Sequence, residues 1–162
     1  MSNSDLLIEL GVNLASDKPT VRNIIKPYSE EIIEGFKKEH NDIDVFTSIF
    51  KYDKEDIRKG KQIGPVYFDL DGEYAKEDSE ALLSFLLEHN CPEESIWIFY
   101  SGSKGFHLEI PFEALDIESD RQLNKVYEAI VKAIKITIHA SSIDTGIYDN
   151  VRLWRLPNSI NP

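Results

Sequence analysis

Cysteine is almost absent from this 162-residue chain: Cys91 stands alone. That excludes an internal disulfide and any cysteine-built zinc cage, and it fits a reducing compartment. Long apolar runs are missing too. No stretch approaches the roughly 20 residues that cross a bilayer, and the opening Met-Ser-Asn-Ser-Asp is not a secretion signal. A cytoplasmic address without a membrane partner is therefore expected. Positive charge is scarce. Eighteen Lys and Arg stand against 29 Asp and Glu, a formal net charge of −11, which argues against a domain that grips nucleic acid through bulk electrostatics. Most of the imbalance reads as solvated faces, such as Glu73, Glu77, Asp78 and Glu80, or Glu113, Asp116, Glu118 and Asp120. What is present is ordinary for a folded protein, with 41% hydrophobic and 29% charged residues and enough length for a real core. With no internal repeat, linker or low-complexity segment, residues 1–162 are expected to form a single domain.

Taken in order, Ser4 and the clustered apolar residues after it predict a short helix over 4–14. Pro19 and Pro27 bracket a stretch that reads as loop or broken helix. A simple cap at Ser29 predicts a helix over 30–40, with Ile32, Ile33 and Phe36 at helical spacing; Ile32 stands where a capping box needs Glu or Gln. The β-branched and aromatic run 44–53 predicts a strand. The charged run Lys54 to Lys61 predicts a loop, whose Lys54, Arg58, Lys59 and Lys61 read first as solvated and second as a phosphate or nucleic-acid contact. Residues 76–90 predict a helix. Ile96 to Tyr100 is wholly apolar, the pattern of a strand buried on both faces. A hairpin turn and return strand follow to Pro111, then a long helix over 119–138 and a last strand over 151–156. The resulting fold class is α/β or α+β, with a mixed sheet because the hairpin must be antiparallel.

The chemistry concentrates at Gly64-Pro-Val-Tyr-Phe-Asp-Leu-Asp-Gly72. On a strand, Asp69 and Asp71 project from one face while Phe68 and Leu70 point to the other. Two carboxylates on one edge suit a hard divalent cation such as magnesium or manganese, singly or bridging two. The same Asp-x-Asp-Gly also fits a solvated turn after a strand. A second segment, Ser101-Gly-Ser-Lys-Gly-Phe-His107, offers what a phosphate needs. Ser101 and Ser103 supply hydroxyls, Gly105 lets backbone N–H groups approach, Lys104 brings charge, and His107 can complete the cradle. It is not a Walker loop, since a strand rather than a helix follows the lysine. A plain hairpin turn is the bland alternative. Downstream, Asp144 adds a third acid, and Arg152 and Arg155 add guanidinium forks that hold phosphate oxygens in pairs. Three apart on an ideal strand, these arginines face opposite ways, so at most one is expected on the side of Asp144.

Phe-Asp-Leu-Asp-Gly, Ser-Gly-Ser-Lys-Gly-Phe-His, Ile-Asp-Thr-Gly-Ile-Tyr and Arg-Leu-Trp-Arg-Leu-Pro-Asn-Ser, in that order from about Val66 to Ser159, resemble the signatures of the archaeo-eukaryotic primase superfamily. That group includes primase-polymerases of plasmids, phages and CRISPR loci and the polymerase domains of bacterial end-joining ligases. The resemblance implies a mixed, largely antiparallel central sheet flanked by helices, the RRM-like primase-polymerase core. It implies that Asp69, Asp71 and Asp144 are catalytic metal ligands, that Ser103, Lys104 and His107 belong to the triphosphate loop, and that Arg155 holds phosphate. The activity implied is a template-dependent nucleotidyltransferase, a DNA primase or primase-polymerase that joins nucleoside triphosphates and releases pyrophosphate. Two magnesium or manganese ions about 4 Å apart would serve that chemistry. The partners implied are nucleoside triphosphates, a single-stranded or primed template, and further domains or proteins such as a helicase. Relatives continue past Pro-Asn-Ser with a lysine and further elements, whereas this sequence stops at Pro162, so a minimal domain or a fragment of a longer protein is expected.

Two rivals stay open. A haloacid-dehalogenase-like phosphatase also places Asp-x-Asp-Gly after an apolar strand, with Asp69 as nucleophile, Asp71 as acid/base and Asp144 and Asp149 as a late pair. It expects Thr or Ser after the glycine, where Glu73 stands, and gives no role to the serine-glycine loop. A non-catalytic nucleotide-binding domain is the other.

Overall fold

Leu6, Ile8, Leu10 and Val12 alternate with Leu7, Glu9 and Gly11, a period-2 pattern hidden inside a generally apolar run. The computed structural model, which describes residues 5–13, 21–41, 43–101 and 105–156, makes this segment a strand, β1 (Leu7–Val12), and not the expected helix. Both its edges are taken. β2 (Val21–Pro27) pairs with one; β3 (Val45–Ser48) and β4 (Lys51–Tyr52) pair with the other, all antiparallel. Ile8, Leu10 and Val12 join Phe36, Val45 and Leu156 in one cluster, and Glu9 is buried away from it, 1% exposed. Long-range pairing thus overrides a helical spacing that the same apolar residues also satisfied. The stretch read as loop or broken helix is β2, an edge strand, where Pro27 costs the ladder no donor. Ser4 and Pro19 lie outside the described residues.

α1 (Glu30–Glu39) forms as the sequence predicts: the Ser29 side chain accepts from the Ile32 N–H at 3.3 Å, acids open the helix, and Lys37 and Lys38 close it. The strand expected over 44–53 is broken at Ile49 and Phe50 into β3 and β4. Ser48 Oγ fills the break, accepting from the Glu9 N–H at 3.0 Å and donating to the Phe50 carbonyl at 2.7 Å. β4 pairs onward with the two-residue β5 (Gln62–Ile63), and β3 with β9 (Leu153–Arg155). These strands and α1 form one compact unit, made of the described residues up to Ile63 and from Asn150 onward.

The second unit, Gly64–Asp149, is built on a three-stranded antiparallel sheet in the order β6 (Val66–Leu70), β8 (Phe106–Ile110), β7 (Trp97–Tyr100). α2 (Ala75–Glu88) packs on β6 and β8 through Ala75, Leu82 and Leu86; α3 (Leu123–Thr137) packs on β6 through Leu123, Tyr127 and Val131. One expectation fails here. β7 is not buried on both faces but is the sheet's outer strand, with Trp97 51%, Ile98 49% and Tyr100 64% exposed. Apolarity alone does not distinguish a central strand from an edge. The fold class is α+β, with every described strand pair antiparallel. Among the described residues, no helix is long and apolar enough to cross a membrane.

Candidate active site

β6 owes its placement to Val66, Tyr67, Phe68 and Leu70, all buried, which leave Asp69 as the strand's one carboxylate. Each edge of β6 delivers a partner to Asp69. On one side the register with β8 sets Asp69 directly opposite His107. On the other, the bridge Leu70↔Ile143 aligns the segment 142–144: the Asp144 N–H donates to the Asp69 carbonyl at 2.9 Å and the Asp71 N–H to the Ser142 carbonyl at 3.1 Å. Residues opposite one another in an antiparallel pair share a face, so His107, Asp69 and Asp144 form a row across three chain segments, with Asp71 next along the same face. The sequence motifs that lie 75 positions apart at their ends meet through backbone hydrogen bonds.

Asp69 is 16% exposed at its side chain, and its Oδ1 is buried without a hydrogen bond; His107 Nε2 faces it at 3.2 Å outside hydrogen-bonding geometry. The Asp71 carboxyl titrates above its ordinary range, because burial and the charges of Asp69 and Asp144 outweigh the pull of His107. Asp144 Oδ1 accepts from the Gly146 N–H at 2.7 Å, which fixes the turn that follows. Beneath the acids, Tyr148 stacks on Tyr67 at 4.7 Å between centroids and donates its hydroxyl to the Tyr67 carbonyl. Burial, with the charges around it, raises the Tyr148 hydroxyl, so it stays protonated as a structural donor.

Gly105 passes close to the acids. A Cβ there would lie 2.1 Å from Asp71 Oδ1, 2.6 Å from the Leu70 carbonyl and 2.7 Å from Ser101 Oγ. Only a residue without a side chain lets the loop's return limb pass this close to the acids. Ser101 donates its N–H to the Gly105 carbonyl at 3.0 Å, joining the loop's two feet. Ser103 and Lys104 lie outside the described residues. Arg152 and Arg155 belong to the other unit. There Arg155 meets the buried Asp44 at 2.6 Å and lies over the Phe46 ring, while the Arg152 carbonyl accepts from the Ile49 N–H.

Sequence reasoning left Glu109 out of the site. It shares the His107 face of β8, opposite Tyr67 and Trp97, and burial pushes its carboxyl up to about 7 although His107 pulls it down. The signal was the alternation of His107 and Glu109 with Phe106, Leu108 and Ile110.

Among the described residues, no three His, Cys, Asp or Glu are arranged to hold a metal ion as they stand. The chemistry of the donor set nevertheless fits a hard divalent cation: Asp69, Asp71 and Asp144 offer carboxylate oxygens from neighbouring segments, and Asp69 Oδ1 is a buried acceptor lacking a donor. No protein-family model matches the chain, and no curated protein matches it in sequence.

Proposed function

We propose that the chain is a template-dependent nucleotidyltransferase of the primase-polymerase type, joining nucleoside triphosphates with release of pyrophosphate. The observation that carries the reading is the row His107–Asp69–Asp144, with Asp71 beside it, assembled by pairing on both edges of β6. Asp69, Asp71 and Asp144 would hold magnesium or manganese. Bound there, the ions supply Lewis-acid activation of a 3′-hydroxyl and stabilisation of the leaving pyrophosphate. His107 stands on the acids' flank, where it can donate to a phosphate oxygen and balance the carboxylates' charge. Ser101 and Gly105 fix the feet of the loop whose Ser103 and Lys104 complete the triphosphate contact in this reading. Arg155, engaged by Asp44, is not required by it. Glu73, standing where a phosphatase of that kind carries Thr or Ser, speaks against the phosphatase reading.

The test is incorporation of labelled nucleotides on a primed and an unprimed template with manganese or magnesium. Wild type is expected to give extension or dinucleotide products, and Asp69→Ala and Asp144→Ala to lose them by at least about a hundredfold. Phosphate release from phosphomonoesters without incorporation overturns the proposal in favour of the phosphatase, and absence of both activities overturns it in favour of a binding domain.

A further inference from the structure

Asp144 is carried by an isolated bridge and not by a strand. His139, at φ 56°, turns the chain off the end of α3, and residues 141–144 then pair with β6 through Leu70↔Ile143 and the flanking backbone hydrogen bonds of Asp144 to Asp69 and of Asp71 to Ser142. So short a pairing fixes register but leaves the segment's seat against the sheet to other groups. Two side chains supply them, one from α2 and one from α3. In the first turn of α2, the Asp78 carboxylate accepts from the Ser142 N–H at 2.7 Å and from the Ser141 hydroxyl at 3.5 Å. In the last turn of α3, the Lys135 ammonium donates to the Ser141 carbonyl at 3.3 Å and to the Ile143 carbonyl. An acid thus takes the segment's N–H and a cation its carbonyls, and both residues are half-buried. Asp78 therefore does not belong to the solvated face that the sequence suggests. Burial raises its carboxyl, but the donors of Ser142 and Ser141 outweigh burial and hold it below the ordinary range.

We propose that Asp78 and Lys135 are positioning residues that act through Asp144: they clamp residues 141–143 against β6 and so set where the Asp144 carboxylate stands relative to Asp69 and Asp71, on which retention of a divalent cation depends. The inference rests on the nucleotidyltransferase reading and adds to it what holds the third acid. Three observations carry it. Ser142 is gripped from both sides, its N–H by Asp78 and its carbonyl by the Asp71 N–H, so the clamp reaches an acid-bearing residue through a single peptide. Lys135 grips the carbonyl of Ile143, which adjoins Asp144 and bridges to Leu70 between the other two acids. Finally, α2 is seated by Ala75, Leu82 and Leu86 and α3 by Leu123, Tyr127 and Val131, all buried, so both arms of the clamp stand on packed elements. Groups that orient metal-binding carboxylates from behind typically matter by about 10- to 100-fold in metal affinity.

The experiment is equilibrium binding of manganese to the full chain, read from the loss of the free ion's electron paramagnetic resonance signal, beside nucleotide incorporation. Asp78→Ala and Lys135→Met are each expected to weaken manganese by about tenfold to a hundredfold, whereas Asp78→Asn, which keeps an acceptor for the Ser142 N–H, stays within about threefold of wild type. The same substitutions made in an Asp144→Ala background, which retains Asp69 and Asp71, are expected to cost no further affinity. Far-ultraviolet circular dichroism checks that each variant is folded, and since the two arms lie on different helices, a variant that fails to fold leaves the other as the test. Unchanged manganese affinity in Asp78→Ala and Lys135→Met overturns the clamp. So does a loss of equal size with and without Asp144, which marks a general loosening of the unit, and so does an Asp78→Asn that binds no better than Asp78→Ala. Wild type that binds no manganese overturns the clamp together with the reading beneath it. Should manganese follow the expected pattern while no nucleotide is ever incorporated, the clamp stands and the transferase reading falls.

Discussion

Glu109 couples stability to pH through one carboxyl. It lies half-buried on the sheet face that also carries His107, and burial pushes it up to about 7 from an ordinary 4.5. Between those values the unfolded chain has released the proton that the folded chain keeps. Stability therefore falls as pH rises from about 4.5 to about 7 and changes no further above, the reverse of an ion-paired carboxylate. Glu109→Gln holds the neutral form at every pH. It is expected to match wild type near pH 4 and to exceed it near pH 8 by on the order of 1–3 kcal/mol, measured as denaturant midpoints. An equal offset at both pH values would mean that the carboxyl is solvated in the folded chain.

At the scale of elements, the pairing of β1 with β2 rests on an ion pair that a strand interior rarely contains. Glu9 is buried; Arg22 meets it at 3.0 and 3.2 Å and also donates to the Val151 carbonyl, and the Asn23 N–H donates to Glu9 at 3.0 Å. Removing the arginine strands a charge that has no solvent, whereas the half-exposed guanidinium tolerates loss of its acid. Arg22→Ala is expected to cost about 3 kcal/mol in urea unfolding, and Glu9→Gln in the Arg22→Ala background to recover a good part of it. If the double variant is no more stable than Arg22→Ala, the buried charge is not the cause. The same pair explains what the sequence left unreadable. Leu6, Ile8, Leu10 and Val12 satisfy a strand period, but the neighbouring Leu7 blurs it, and the partner that lets Glu9 be buried stands 13 positions away. The apolar Ile96–Tyr100 could not disclose that β7 lies at an edge, since that depends on which strand pairs beyond it. By contrast the Ser29 cap with Ile32, Ile33 and Phe36, and the helical spacing of Ala81, Leu82, Phe85 and Leu86 or of Leu123, Val126, Tyr127, Ile130 and Ile134, were local signals and placed the three α-helices of the described residues. The acids were legible as residues and not as a row: the register joining Leu70 to Ile143 spans 73 positions and is set by pairing alone.

For the molecule as a whole, the charge balance sets how a nucleic acid can be held. At −11, the chain's average field repels a phosphate backbone, and three carboxylates stand together where the reaction is proposed. A protein that binds through clustered Lys and Arg releases counterions, so its affinity falls steeply with salt. Here the opposite regime is expected. Without divalent ions, added salt screens the repulsion over a Debye length of about 10 Å at 0.1 M, and affinity for a labelled single strand should stay level or rise between about 50 and 200 mM sodium chloride. With manganese, which cancels charge at the acids, affinity should increase, and Asp69→Ala should erase most of that increase. Fluorescence anisotropy measures both series. A steep fall with salt in the metal-free series would contradict this account and point to a local basic surface. The exposed segment 54–61 is where to look: Lys54, Arg58, Lys59 and Lys61 stand there against Glu55 and Asp56, and Lys59 is already paired with Asp56 at 2.8 Å. Reversing Lys54 and Lys61 to glutamate would then flatten the slope, whereas in the regime expected here it leaves the slope where it was.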